Sequence, residues 1–193
     1  LWEIGVPNRT ASEFAGADQF WMPEMPLKYP TLFPNDVNFV VGKSDPRRDW
    51  FFQHVPHNED PAAKSIPFRG VTTPGRATPF AISFDVSGTL RGKATLRVAI
   101  CGGGAREIGV TVNDQPAGRI DRLLVDGAIT RHSIRGLWYE REVAFDAALL
   151  KPGANVLTLT VPAGSVNNGV IYDCLRLGLD ELTATASAAR EQE

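Results

Sequence analysis

The distribution of proline constrains this chain more than any other feature. Eleven of its fourteen prolines lie in residues 1–80, and only three in the rest of the 193-residue sequence. Proline fixes φ at about −65° and has no N–H to donate, which excludes long helices and central strands wherever it recurs. Residues 1–79 therefore read as a long Pro-rich N-terminal wrap with short strands, such as LWEIGV at 1–6 and NFVVG at 38–42. A connection of that length must be pinned by packing. Its tryptophans, Trp2, Trp21 and Trp50, are the available pins.

From residue 80 the pattern has period two. AISFDVS sets Ile82, Phe84 and Val86 against Ser83 and Asp85, and TLRVAIC sets Leu96, Val98 and Ile100 against Arg97. IGVTV runs into a turn at Asn113–Asp114. LWYEREVAF opposes Leu137, Tyr139, Val143 and Phe145 to Trp138, Glu140, Glu142 and Ala144. VLTLTVP and VIYDCLRLGL complete the set, and only Asp146 to Leu150 hints at a helical turn. Alternation between turn residues is the mark of antiparallel sheet with one wet face. The expected fold is all-β: an antiparallel β-sandwich, or jelly roll, over residues 1–179 with its regular strands in 80–179. Residues 180–193 (DELTATASAAREQE) read as a polar tail.

Composition narrows the partners. Lys+Arg 20 against Asp+Glu 22 gives a net charge of −2 without a basic stripe, so nucleic acid and anionic membrane are not expected. No apolar run reaches the 18 or so residues of a spanning helix. The chain starts at Leu1 with no visible signal peptide, as a mature product or an excised piece of a longer protein would. Cys101 and Cys174 lie in apolar strand-like runs and read as buried thiols; a disulfide would require their strands to be neighbours.

Few residues specify chemistry. There is no zinc-type spacing, no nucleophile elbow, and the CGGGAR glycines lead into a strand rather than a helix. His54, His57 and His132 specify no acid–base pair. Asp173 alternates onto the side of Ile171, Leu175 and Leu177, where a carboxylate must be paired, hydrogen-bonded or on a cation. With Glu13 and Asp18 it forms a set for structural calcium; the alternative is bonding to loop amides. No other cofactor is required. Trp138, on the polar side with Glu140, is a candidate platform for sugar stacking or a residue covered by the wrap. In DWFFQH, alternation points Phe51 one way and Trp50 and Phe52 the other.

IGVPNRTASEF, VGKSDPRRDWFFQ, GRATPFAISFDV, VTVND, RHSIRGLWYE, LKPGANVLTLTV and VIYDCLRL follow one another in this order. Together they resemble the C-terminal domain of rhamnogalacturonan lyases of polysaccharide lyase family 4, over residues 1 to about 179. The resemblance implies a jelly roll similar to carbohydrate-binding modules. It also implies a secreted, cell-surface or periplasmic parent enzyme that cleaves pectin by β-elimination in a separate N-terminal domain. No catalytic residue carries over to this chain. Asn8 stands where the family phrase has an aspartate. The implied function is non-catalytic binding of plant cell-wall polysaccharide, with the other domains of the parent lyase as partners. The alternative is an accessory domain that braces the lyase and binds no sugar. In the binding account Arg47 and Arg48 meet the carboxylates of an acidic glycan, Trp50 stacks on a ring, and Trp138 and Glu140 form the exposed face. In the other, Asp45 and Asp49 cap turns and pair with the arginines while the rings are buried.

Overall fold

The period-two segments become two facing sheets in the computed structural model, which describes residues 1–60, 62–63, 73–131 and 133–179. The polar tail and His132 lie outside the described residues. Strands run β1 Trp2–Gly5, β2 Val37–Val40, β3 Pro74–Gly75, β4 Thr78–Val86, β5 Lys93–Gly103 and β6 Ile108–Val112. They continue as β7 Gln115–Ile120, β8 Tyr139–Asp146, β9 Gly153–Val161, β10 Gly164–Ser165 and β11 Val170–Leu179. One sheet has the order β1-β11-β5-β8 and the other β2-β4-β9-β6-β7; β10 and β3 form a short ribbon. Pairing is antiparallel except where β2 joins β4 in parallel at an edge. The Pro-rich half thus supplies one edge strand to each sheet, where a missing N–H costs least.

Local chemistry accounts for the connections. Asn113 and Asp114 both take positive φ, 50° and 64°, as the two-residue turn of a tight hairpin between β6 and β7 requires. The expected helical turn is a 3-10 turn, Ala147–Leu149, capped by Asp146, whose side chain accepts from the Ala148 N–H. Helix α1, Met25–Leu32, carries Pro26 in its first turn and Pro30 inside it, and is only eight residues long. Cys101 and Cys174 are free and buried, although β5 and β11 are neighbours.

The core differs from the sequence reading most at the aromatic segment. Trp50, Phe51 and Phe52 are all fully buried, so strand alternation does not govern them. Backbone bonds from Ala15 N–H to the Trp50 carbonyl and from Phe52 N–H to the Ala15 carbonyl place this segment beneath the N-terminal residues. Trp50 therefore packs against Phe14, Phe39, Phe80 and Tyr172, while Phe51 meets Tyr29, Phe33 and Phe52. A chain covered on both sides buries consecutive rings. Trp2 meets Phe84 across the two sheets, but Trp21 is 58% exposed, with its ring edge-on to Phe20.

Beside this aromatic cluster His54 is fully buried and stacked on Phe80 at 3.7 Å between ring centroids. Its Nε2 bonds the Thr78 carbonyl at 2.8 Å, which only an N–H can do, so Nδ1 accepts from the Tyr172 hydroxyl. Burial lowers its pKa from 6.5 to about 3. The folded state therefore refuses a proton that the unfolded state takes up between those values. Stability from this site is complete above pH 6.5 and is lost progressively as pH falls toward 3. Denaturant midpoints measured from pH 7 to pH 4 should decline, and His54→Gln should flatten the decline; equal slopes in both proteins would exclude His54 as its source.

Candidate functional site

An irregularity in β11 creates the site. Tyr172 pairs with Ile100 and Cys174 with Ala99, so two steps on β11 oppose one on β5 and Asp173 is the additional residue. A bulge of this kind re-aims a side chain. Instead of joining Leu175 and Leu177 in the core, the Asp173 carboxylate turns toward the loop after β1. It is fully buried and hydrogen-bonded at both oxygens. Oδ1 accepts from the backbone N–H of Asn8 at 3.0 Å and of Arg9 at 2.9 Å; Oδ2 accepts from Trp138 Nε1 at 2.7 Å.

Trp138 lies just before β8, while Asp173 lies on β11, with β5 between these strands. The indole consequently reaches across β5, a span of roughly 10 Å set by two inter-strand spacings. It keeps 37% of its surface open. The Arg9 guanidinium sits over the ring, 5.0 Å from its centroid, a favourable cation–π arrangement. Arg9 has φ of 66°, a left-handed backbone held by its bond to Asp173 and by the turn around Asn8. Asn8 Oδ1 accepts from Thr10 N–H and Thr10 Oγ1, and its Nδ2 donates to Glu13 Oε2 at 3.4 Å. An aspartate at position 8 would face Glu13 with like charge, which explains how the departure from the family phrase is accommodated here.

The residues singled out from the sequence fall in three places. Trp138 and Glu140 share the exposed surface at the start of β8. Arg47 lines a cleft of about 420 Å³ between β1 and the segment after β2, and Glu13 lines it too. Arg48 is held by Asp49 at 2.7 Å within the short helix α2, Pro46–Asp49, and Asp45 caps that helix by accepting from the Arg47 N–H. Trp50, read as a stacking ring, is instead in the core and presents no face to a ligand.

The carboxylates named for calcium are dispersed as well. Glu13 accepts from the Val6 N–H at 2.7 Å, and Asp18 is exposed in the 3-10 turn Ala17–Gln19. Among the described residues no three His, Cys, Asp or Glu side chains form a group that could hold a metal ion. The three N–H groups aimed at Asp173 suit a carboxylate and would repel a cation, so bonding to loop amides satisfies this residue. Leu137, expected inward, is exposed because β8 begins only at Tyr139. Arg9 was missed: the phrase PNRT carries no period, and only its turn-forming Pro and Asn hinted at a specified loop.

A family model for "CBM-like: Polysaccharide lyase family 4, domain III" matches residues 1–177. A rhamnogalacturonate lyase of Dickeya dadantii is 24% identical over 180 residues, covering 91% of this chain and 27% of the relative. Rhamnogalacturonate lyase B of Emericella nidulans is also 24% identical, covering 93% and 33% respectively. The chain thus spans about a quarter to a third of the length of these curated relatives. Among solved structures, a family 35 carbohydrate binding module from an environmental isolate is 18% identical. It covers 65% of this chain and 83% of that one, with a TM-score of 0.36.

Removing one donor tests the anchor. Trp138→Phe keeps a ring but deprives buried Asp173 of a hydrogen bond, and should cost about 1–3 kcal/mol of unfolding free energy. Asp173→Asn should cost at least as much, since its amide cannot accept at all three N–H groups. Denaturant unfolding reads both, and a loss below about 0.5 kcal/mol in each would show the anchor to be unimportant for stability.

Proposed function

The chain belongs to the CBM-like domain III of polysaccharide lyase family 4, and from this we propose that it is a carbohydrate-binding accessory domain of a rhamnogalacturonan lyase. Its ligand is an acidic plant cell-wall polysaccharide of the pectic class. The observation that carries the reading is the half-open Trp138, held from behind by a buried carboxylate and paired with the exposed guanidinium of Arg9. A fixed indole offers a sugar ring a stacking face with little entropy left to lose, and a guanidinium fork matches a uronate carboxylate. Glu140, two positions on and within β8, can accept from hydroxyls, and Arg47 offers a second guanidinium at the cleft that Glu13 shares. The reading needs no cofactor. It places catalysis and β-elimination elsewhere in the parent enzyme, with the other domains as partners and a secreted, cell-surface or periplasmic location.

One observation favours a second reading. Leu124, Val125 and Leu137 are exposed on the 121–138 connection that leads to Trp138. Such residues suit a face that braces a neighbouring domain of the parent lyase.

An exposed platform with few desolvated anchors gives modest affinity, roughly millimolar to tens of micromolar, or about −4 to −7 kcal/mol. Calorimetric titration with rhamnogalacturonan, homogalacturonan and galactan should give heat with an acidic polymer, lost in Trp138→Ala and weakened in Arg9→Ala. Silence with all three polymers would abandon the binding account for the bracing one.

A further inference from the structure

On the outer face of the four-stranded sheet, one register row reads Glu3, Arg176, Arg97, Glu142. The two arginines are direct cross-strand neighbours, which destabilises a sheet unless something offsets the repulsion. The carboxylates stand at the ends of the row. Arg97 Nε donates to Glu142 Oε1 at 2.7 Å, and Arg176 Nε lies 3.5 Å from Glu3 Oε1. Both arginines are thus drawn outward by their Nε atoms, and no carboxylate of the row lies between them.

The neighbouring rows are low. Gly178, Thr95 and Ala144 lie on one side, and Gly5, Cys174 and Ala99 on the other, where Glu140 ends the row on β8. The guanidiniums rise from a floor of small residues, beside a shallow recess of about 480 Å³ that both arginines line with Glu3, Thr95 and Gly178. All four charged side chains are about half exposed, and exposed ion pairs contribute only about 0–1 kcal/mol each. A ligand carboxylate can therefore take the place of Glu3 or Glu142 at little cost while relieving the central repulsion. By strand alternation Trp138 and Glu140 belong to the same face as Glu142. Trp138 stands four positions before Glu142, roughly 13 Å at about 3.3 Å per residue.

We infer that Arg97 and Arg176 form a second, carboxylate-binding subsite, which takes another uronate of the same acidic chain that meets Trp138. The outer sheet face then recognises an acidic oligosaccharide of several residues rather than a single sugar. This rests on the reading of Trp138 as a glycan platform.

The test titrates the 193-residue chain with an oligogalacturonate disaccharide, an oligogalacturonate octasaccharide and a neutral galactan octasaccharide. The acidic octasaccharide should bind about tenfold more tightly than the disaccharide, the gain expected of added charge-assisted hydrogen bonds. The double substitution Arg97→Gln and Arg176→Gln should erase that gain while leaving disaccharide binding and far-ultraviolet circular dichroism unchanged. If the double variant binds the acidic octasaccharide like the wild type while Trp138→Ala does not, the subsite is refuted and the Trp138 platform stands. If the double variant loses the neutral octasaccharide equally, the arginines are not reading a carboxylate and the inference fails. Absence of binding of all three by the wild type overturns both readings.

Discussion

The exposed face of this domain depends on a carboxylate that never meets solvent. Burying a charge costs several kcal/mol unless hydrogen bonds replace water, and Asp173 receives three. Those bonds join residues 164 and 35 positions apart in the chain, so one side chain fixes both the loop after β1 and the ring before β8. Without the bulge in β11 the same aspartate would point among the leucines, with neither donor set in reach. Backbone irregularity, buried charge and exposed ring form a single arrangement.

A similar economy operates on the other side of the first strands. The short N-terminal segment lies over Trp50–Phe52 and converts what would be a half-wet strand into a fully covered one. Helix α1 tolerates Pro30 because its side chains, Tyr29 above all, are held by tertiary packing rather than by helix propensity. The aromatic stretch lies in the interior, and the exposed aromatic and charged groups are Trp138, Arg9 and the charged row on the outer face. That face carries both signs of charge in a fixed register.

The strands were legible because their hydrophobic residues alternate, and alternation needs only one buried face. The Asn113–Asp114 hairpin and the capped turn at Asp146 were legible for an equally local reason: each is specified by the residues within it. The failures have a common cause. Trp50 was misplaced because alternation cannot report a second covering layer, and the direction of Asp173 was not legible because an additional residue in a strand re-aims the side chain locally. Leu137 was misplaced because strand ends are set by pairing partners, not by the pattern leading to them.

The amino-acid sequence alone therefore determined the class of fold, the turns, the near balance of charge and the placement of Glu140 on the polar side of its strand. All of these follow from short-range period, backbone stereochemistry and charge. Only the tertiary structure decided that Asp173 is an amide-bonded anchor, that Trp138 stays partly open beneath the Arg9 guanidinium, and that Arg97 faces Arg176. Each of these depends on register between strands distant in sequence, and register is a property of paired backbones that no single segment contains.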